Sequence, residues 1–479
     1  MPSLVRILLL FLGLIFPFVR GGNVIRGLYL GYIGMRNVGD DAMFEIAQAL
    51  FAQAGLGLGS GVVLTPFLPP GDCHLNQLDL AGYSFVVHGG GSILGNPEYQ
   101  CVLKVASYYA IPVFMFGTGW EANTADGGRQ ILDEFKRADE PGEFRIDDLE
   151  SLPVDIQEYM KRITLSIETA SGGGFRGMFT ESFARALCPN TALRAIGDSG
   201  LLANALIQTF VKPPPDKLQN YNMPAERVLK MGTMSSRTFN YNGEVHELET
   251  PAHEFLSLDT LNERRLVLMN YGTNKPAGPI FHNNVTLLEP AFYQLASRMA
   301  MEHFTVCFYA LSAESFADNA RMYDLAVAYA REEWPTHGFD GARPEDHIKI
   351  MPYLTDTVGI LSFLKKAFFS VNYKLHANVL SAAVGLPHIN VAYHWKGEEF
   401  AHSLGKNILE KYTIRSDEVT LDGFLEKVNT LSRDLHETGS ALRDQFNAKV
   451  DEVAKDYRAA IDVFLRNVIS KQYGVVAIV

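Results

Sequence analysis

Cysteine is scarce in this chain. Four occur in 479 residues (Cys73, Cys101, Cys188, Cys307), with no C-x-x-C and no pair of histidines at ligand spacing. That excludes a disulfide-dense scaffold and a zinc module, and leaves buried small thiols as the expectation. Runs of Lys and Arg are missing too. With 42 Lys+Arg against 54 Asp+Glu the formal net charge is −12, which excludes a dedicated nucleic-acid binder, since phosphate contacts supply most of that affinity. Any anionic ligand must therefore be held by a few local groups. No repeat of fixed period is present.

An apolar run of spanning length is also lacking at the N-terminus. Ile7 to Val19 is a 13-residue apolar stretch between Arg6 and Arg20, whereas a bilayer-spanning helix needs about 20 residues. The run suits a signal h-region, although no small-x-small cleavage site follows it, and equally an uncleaved anchor, an interfacial segment or a helix packed on the domain. A strand-like stretch, Val24 to Leu30, begins four residues after Arg20, so an anchor would hold the domain against the bilayer without a stem. Membrane association through residues 1–20 stays open. The cytosol or its membrane face ranks ahead of secretion, and the secretory pathway follows if the run is a signal or an anchor.

What is present is ordinary globular composition, 47% hydrophobic and 20% charged, in a chain long enough for two or three domains. From Val24 short apolar runs alternate with amphipathic stretches, the pattern of β-α units on parallel sheets. Leu28 to Leu30 leads into glycines, and Asp41 to Ala54 has helical spacing. Ser84 to Val87 ends at His88-Gly89-Gly90-Gly91, and Ile111 to Phe116 ends at Gly117-Thr118-Gly119. In open α/β sheets ligands bind beyond the carboxyl ends of strands, so these glycine-tipped strands predict one cleft. Pro213-Pro214-Pro215 opens a segment that breaks the rhythm. A second set of strands follows at 265–272, 305–309, 348–351, 367–371 and 388–392, and Leu421 to Val468 reads as helix. The fold class expected is α/β, with two Rossmann-like doubly wound domains facing a cleft. The predicted boundaries are a hydrophobic segment 1–22, a first domain 23–212 on the acceptor side, an insertion or linker 213–262, a second domain 263–410 on the donor side, and a helical tail 411–479.

Several segments carry chemistry. In Gly31 to Ala42 (G-Y-I-G-M-R-N-V-G-D-D-A), Gly31, Asn37 and Gly39 form a backbone cradle before a helix whose free N–H groups attract anions. Asp40 or Asp41 is expected to cap that helix, leaving the other to accept a proton or hold sugar hydroxyls. His88, Gly89, Gly90 and Gly91 extend the cradle, because three glycines at a strand end suit a ligand approaching the backbone. Gly117 and Gly119 match G-x-G-x-x-A, but residues 123–128 read as loop where the dinucleotide fingerprint needs a helix, so no dinucleotide cofactor is expected. Arg176, beside glycines 172–174, is placed to fork onto a carboxylate or phosphate. Lys374 and His376, two residues apart, would point the same way on an extended strand end. With Lys396 they make three basic groups for a phosphorylated anion and a proton transfer.

Taken in order, these segments resemble the polysaccharide pyruvyl transferase family. The resemblance rests on G-Y-x-G-x-x-N-x-G-D-D (31–41), H-G-G-G (88–91), G-x-G (117–119), R-G-x-x-T (176–180), G-D (197–198), L-H-A (375–377), G-x-P (385–387) and Y-x-x-K (393–396). It spans about residues 29–405 outside the insertion. It implies a GT-B-like fold and transfer of the pyruvyl unit of phosphoenolpyruvate onto two hydroxyls of a sugar, with release of phosphate. Phosphoenolpyruvate would be a co-substrate, with no further cofactor and no metal, and a glycan or lipid-linked sugar would be the acceptor. Arg176, Lys374, Leu375 and Lys396 would bind the donor, His376 would act as general acid, and Asp40 or Asp41 would orient or deprotonate the acceptor. The family usually carries R-L-H where this chain has Lys374-Leu375-His376, and lysine keeps the charge without the bidentate fork. Two rivals stand beside this reading, a GT-B nucleotide-sugar glycosyltransferase and a non-catalytic glycan-binding protein.

Overall fold

A computed structural model describes residues 24–33, 37–67, 80–120, 154–203, 238–241, 244–247, 265–272, 285–334, 342–351, 357–438 and 440–473. The hydrophobic run 1–20, Gly34, Cys73, the loop assigned to 123–128 and most of the insertion 213–262 lie outside them.

The first domain is a six-stranded parallel sheet. It is built from β1 (Val24–Leu30), β2 (Gly61–Phe67), β3 (Phe85–His88), β4 (Val113–Thr118), β5 (Ala170–Phe175) and β6 (Arg194–Ala195), in the order β2-β1-β3-β4-β5-β6. Helices α1 (Val38–Gly57), α2 (Pro97–Tyr108), α3 (Val154–Thr169) and α4 (Met178–Leu187) connect the strands. β3 and β4 are buried at every residue. That is why they read as unbroken apolar runs and not as alternation: helices cover both faces of a parallel sheet.

After a short antiparallel hairpin inside the insertion, β7 (Thr238–Tyr241) and β8 (Glu244–Glu247), a second parallel sheet follows. It comprises β9 (Leu266–Asn270), β10 (Thr305–Phe308), β11 (Ile348–Ile350), β12 (Phe369–Asn372), β13 (His388–Ala392) and β14 (Thr413–Arg415), in the order β11-β10-β9-β12-β13-β14. Its helices are α5 (Val285–Met301), α6 (Ala313–Glu333), α7 (Pro344–His347), α8 (Thr357–Leu364), α9 (Leu375–Ala383), α10 (Trp395–Leu404) and α11 (Lys406–Tyr412). α12 (Leu421–Glu437) and α13 (Ala441–Tyr473) complete the chain's described part. The protein thus has the two doubly wound α/β domains expected.

Two corrections concern the tail and the cysteines. The stretch read as a helical tail is, as far as Tyr473, built into both domains: β14 is the edge strand of the second sheet, and α13 returns to the first domain. There Phe464 sits edge-on to Phe85 and Phe114, with ring centroids 5.6 and 5.1 Å apart, and the Tyr457 ring lies 5.0 Å from Phe116. Tyr457 also donates its hydroxyl to the Gly197 carbonyl at 2.9 Å. Helical periodicity marks an apolar stripe but not the domain it will face. Truncating Phe464 to Ala is expected to cost about 3–5 kcal/mol, read as a lower urea midpoint, because the cavity opens among rings that cannot collapse together. Among the cysteines, Cys101 is disulfide-bonded while Cys188 and Cys307 are free thiols. Cys307 is the buried small thiol expected, and Cys188 is half-buried.

β5 was hidden by its glycines. Gly173 has φ +88°, and a Cβ there would lie 2.0 Å from the Met115 carbonyl oxygen. The glycines 172–174 therefore let two strands pass closely at an irregular register, a use of glycine inside a sheet.

Candidate active site

Where strand order reverses, the loops at the carboxyl ends diverge and leave a crevice. In the first sheet this occurs between β1 and β3, so Gly31 to Ile33 and Gly89 to Ser92 border it. In the second it occurs between β9 and β12, bordered by Tyr271-Gly272 and Tyr373-Lys374. The two crevices meet. The Val38 amide donates to the Leu311 carbonyl at 2.9 Å, Asn37 bridges to Ser312, and a Cβ on Gly39 would lie 2.2 Å from the His376 ring.

On the first-domain side Asn37 caps α1, its side-chain oxygen accepting from the Gly39 amide at 3.2 Å. This corrects the expectation that Asp40 or Asp41 is the cap. Both carboxylates instead lie in the first turn, where the helix dipole favours negative charge. Asp40 is buried; its Oδ1 would be 3.3 Å from a Cβ on Gly91, which has φ +85°. Tyr29, beneath them, has its hydroxyl pKa raised by burial and then by the Asp40 charge.

The remaining cradle residues serve packing more than expected. A Cβ on Gly89 would meet the Leu30 carbonyl at 2.4 Å, and one on Gly90 would meet the Ser199 hydroxyl at 2.4 Å. Gly31 lies on the Tyr29 ring, Gly117 under the Tyr457 hydroxyl and Gly119 flat on the Arg176 guanidinium. These contacts explain the glycines without a ligand, Gly91 beside Asp40 excepted. His88 is fully buried against the Met115 sulfur at 3.2 Å, and burial pulls it down to about 4, so it is a neutral core ring and not a cradle residue.

Arg176 departs furthest from expectation. Only 3% exposed, it spends its guanidinium on Glu399 of α10 (Nη2 to Oε2, 3.2 Å; Nε to Oε2, 3.3 Å) and on the Ser92 hydroxyl at 3.0 Å. Glu399 Oε1 accepts from the Thr180 amide at 2.9 Å, so this ion pair joins the two domains. Nearby Asp198 caps a 3-10 turn, Ser199–Leu202, through the Gly200 amide. Burial raises the Asp198 pKa against the pull of Arg176. Arg176 is thus part of the wall behind the cleft, not an open fork for a donor.

The second domain gathers the cations differently from the extended-strand expectation. β12 stops at Asn372, Lys374 is the N-cap of α9, and His376 stands in that helix's first turn, so the two side chains do not share a strand face. The Lys374 stem lies over Gly272 while its amide donates to the Asn270 side chain at 3.1 Å; His376 turns to Gly39. Leu375 between them is buried in the core, which removes it from the donor contacts. Tyr373 and Tyr393 stack at 4.5 Å and 13°. The Lys374 and Lys396 ammoniums both lie over the Tyr393 ring, at 5.8 and 5.6 Å from its centroid. Lys396 opens α10, where the His394 ring nitrogen accepts from the Lys396 amide. Two helix N-termini and two ammoniums therefore converge on one ring, an arrangement suited to an anion. Glu399, Tyr29, Ser92 and Asn270 were missed; nothing local distinguishes Glu399 from its neighbour Glu398.

No protein-family model and no curated protein sequence matches the chain. Among solved structures it is similar to S. aureus MnaA with UDP (TM-score 0.46, 10% identity, 95% of this chain and 98% of that one). It is also similar to a glycosyltransferase from Rickettsia africae (0.42, 11%, 94% and 97%) and a UDP-bound transferase from Siraitia grosvenorii (0.45, 12%, 93% and 100%). The chain is a two-domain α/β protein of GT-B-like form. That statement stands on its own strand orders and on the crevices that face each other.

Proposed function

We propose that the cleft transfers a group from a phosphate-bearing anionic donor to sugar hydroxyls, with phosphoenolpyruvate as the donor and a cyclic pyruvate ketal as the product. The carrying observation is the convergence of Lys374 and Lys396 on Tyr393, with His376 across the cleft against Gly39 and the Asp40-Asp41 turn. The two ammoniums and the α9 and α10 N-termini neutralise carboxylate and phosphate. His376 gives a proton to the donor's methylene carbon, which becomes a methyl group, while the first acceptor hydroxyl adds to C2. The second hydroxyl then displaces phosphate; Asp40 or Asp41 takes each acceptor proton in turn, one passing on to restore His376 and the other leaving on the phosphate. What remains of the resemblance to the pyruvyl transferases in the cleft, His376-Ala377 and Tyr393 to Lys396, supports the choice of donor.

A second reading, a nucleotide-sugar glycosyltransferase, is favoured by the second sheet's order, in which the β9/β12 crevice matches that of dinucleotide-binding folds. Incubation with phosphoenolpyruvate and a panel of glycans separates the two. Phosphate release with a product heavier by a dehydrated pyruvyl unit is expected. Background release with every acceptor, together with thermal stabilisation by a nucleoside diphosphate and not by phosphoenolpyruvate, would select the second. Among the described residues no helix is long and apolar enough to cross a membrane.

A further inference from the structure

At the opposite end of the first sheet, where β1, β3 and β4 begin, a cavity of about 360 Å3 is lined by Val24, Arg26, Tyr83, Ile111, Val468 and Lys471, among others. Arg26 and Lys471 are exposed, and no carboxylate lines the cavity among the described residues, in a chain of net charge −12. The Arg26 guanidinium lies 5.5 Å over the Tyr83 ring, and Lys471 reaches the Ala110 carbonyl at 3.1 Å. Beside it α2 ends in Tyr108 and Tyr109, 82% and 67% exposed and in edge contact at 4.9 Å, with exposed Lys104 one turn earlier. Two neighbouring tyrosines so exposed bury no core surface. Amphipathic aromatics beside basic side chains are what a headgroup layer accepts.

The apolar run Ile7–Val19 ends, with Arg20, four residues before Val24, whose own side chain lines this cavity. At 13 residues the run is too short to span, and a single marginal attachment holds a protein to a bilayer only reversibly, so a second contact is needed. We propose that this face is that contact: it seats on an anionic lipid bilayer, with headgroup phosphates between Arg26 and Lys471 and Tyr108-Tyr109 in the interface. The cleft lies at the other end of the strands and would stay open to solvent.

The test is sedimentation of the full chain with vesicles of phosphatidylcholine alone or mixed with phosphatidylglycerol. Preference for the mixed vesicles is expected. Arg26→Gln/Lys471→Gln should weaken that binding roughly thirtyfold, and Tyr108→Ser/Tyr109→Ser should weaken it on both vesicle types. Arg26→Lys/Lys471→Arg, which keeps both charges, should bind as the parent does, and an unchanged thermal midpoint shows that the variants are folded. Equal binding to both vesicle types, or parental binding by the Gln variant, would overturn the proposal. So would a chain lacking residues 1–20 that loses binding completely while the Gln and Ser variants keep it. None of these results bears on the donor assigned to the cleft.

Discussion

Glu399→Ala should lower the stability of the folded chain by about 3–5 kcal/mol, the cost of leaving a buried charge without its counterpart. The Arg176 guanidinium would remain in the domain junction with Ser92 and the Trp120 carbonyl as uncharged partners, and the Thr180 amide would lose its acceptor. Asp198 does not make good the loss, because burial already pushes its carboxyl toward the neutral form. Glu399→Gln should be milder, since an amide oxygen still accepts from Thr180. The double variant Arg176→Met/Glu399→Leu should recover most of the stability, as apolar replacement of a buried pair commonly does. Urea unfolding of the three variants measures this. A loss below about 1 kcal/mol for Glu399→Ala, the range of exposed pairs, would show that the junction is open to water in solution.

His376→Ala should cut turnover about 10²- to 10⁴-fold, the usual contribution of a positioned general acid, while the unfolding midpoint stays within a degree or so of the parent's. The ring is only half-buried and packs on a glycine, so little core is lost. A general acid must carry its proton, so the parental rate should fall toward alkaline pH. That alkaline fall should vanish in the variant. Turnover equal to the parent's would remove His376 from the chemistry, and a loss confined to KM would make it a donor-binding group.

The strands were legible because burial on both faces writes them as unbroken apolar runs, as in Val113 to Phe116 of β4 and Leu266 to Met269 of β9. β5 was not, because close strand passage at Gly173 demands glycines where an apolar run would mark a strand. The glycine clusters pointed correctly to the strand ends, but their cause was largely internal: Gly89 and Gly119 admit Tyr29 and Arg176 and not a ligand. Likewise Asn37 took the cap assigned to the aspartates, since a cap is decided by where the helix starts, one turn earlier than the apolar spacing indicates. Contacts across the domain junction, Arg176 with Glu399 above all, join residues 223 positions apart. Nothing local in a sequence encodes such a partner.

The long last helix has a consequence for how the chain is made. The first domain emerges early, yet among the described residues the wall of rings around Phe51, Phe85 and Phe114 is completed by Phe464, near the end of the chain. At ~5–20 residues per second, the ribosome leaves that sheet face uncovered for on the order of tens of seconds after its strands are out. During that interval the nascent first domain presents an aromatic surface for chaperones to hold, and a transcript truncated before α13 would release a product that keeps it.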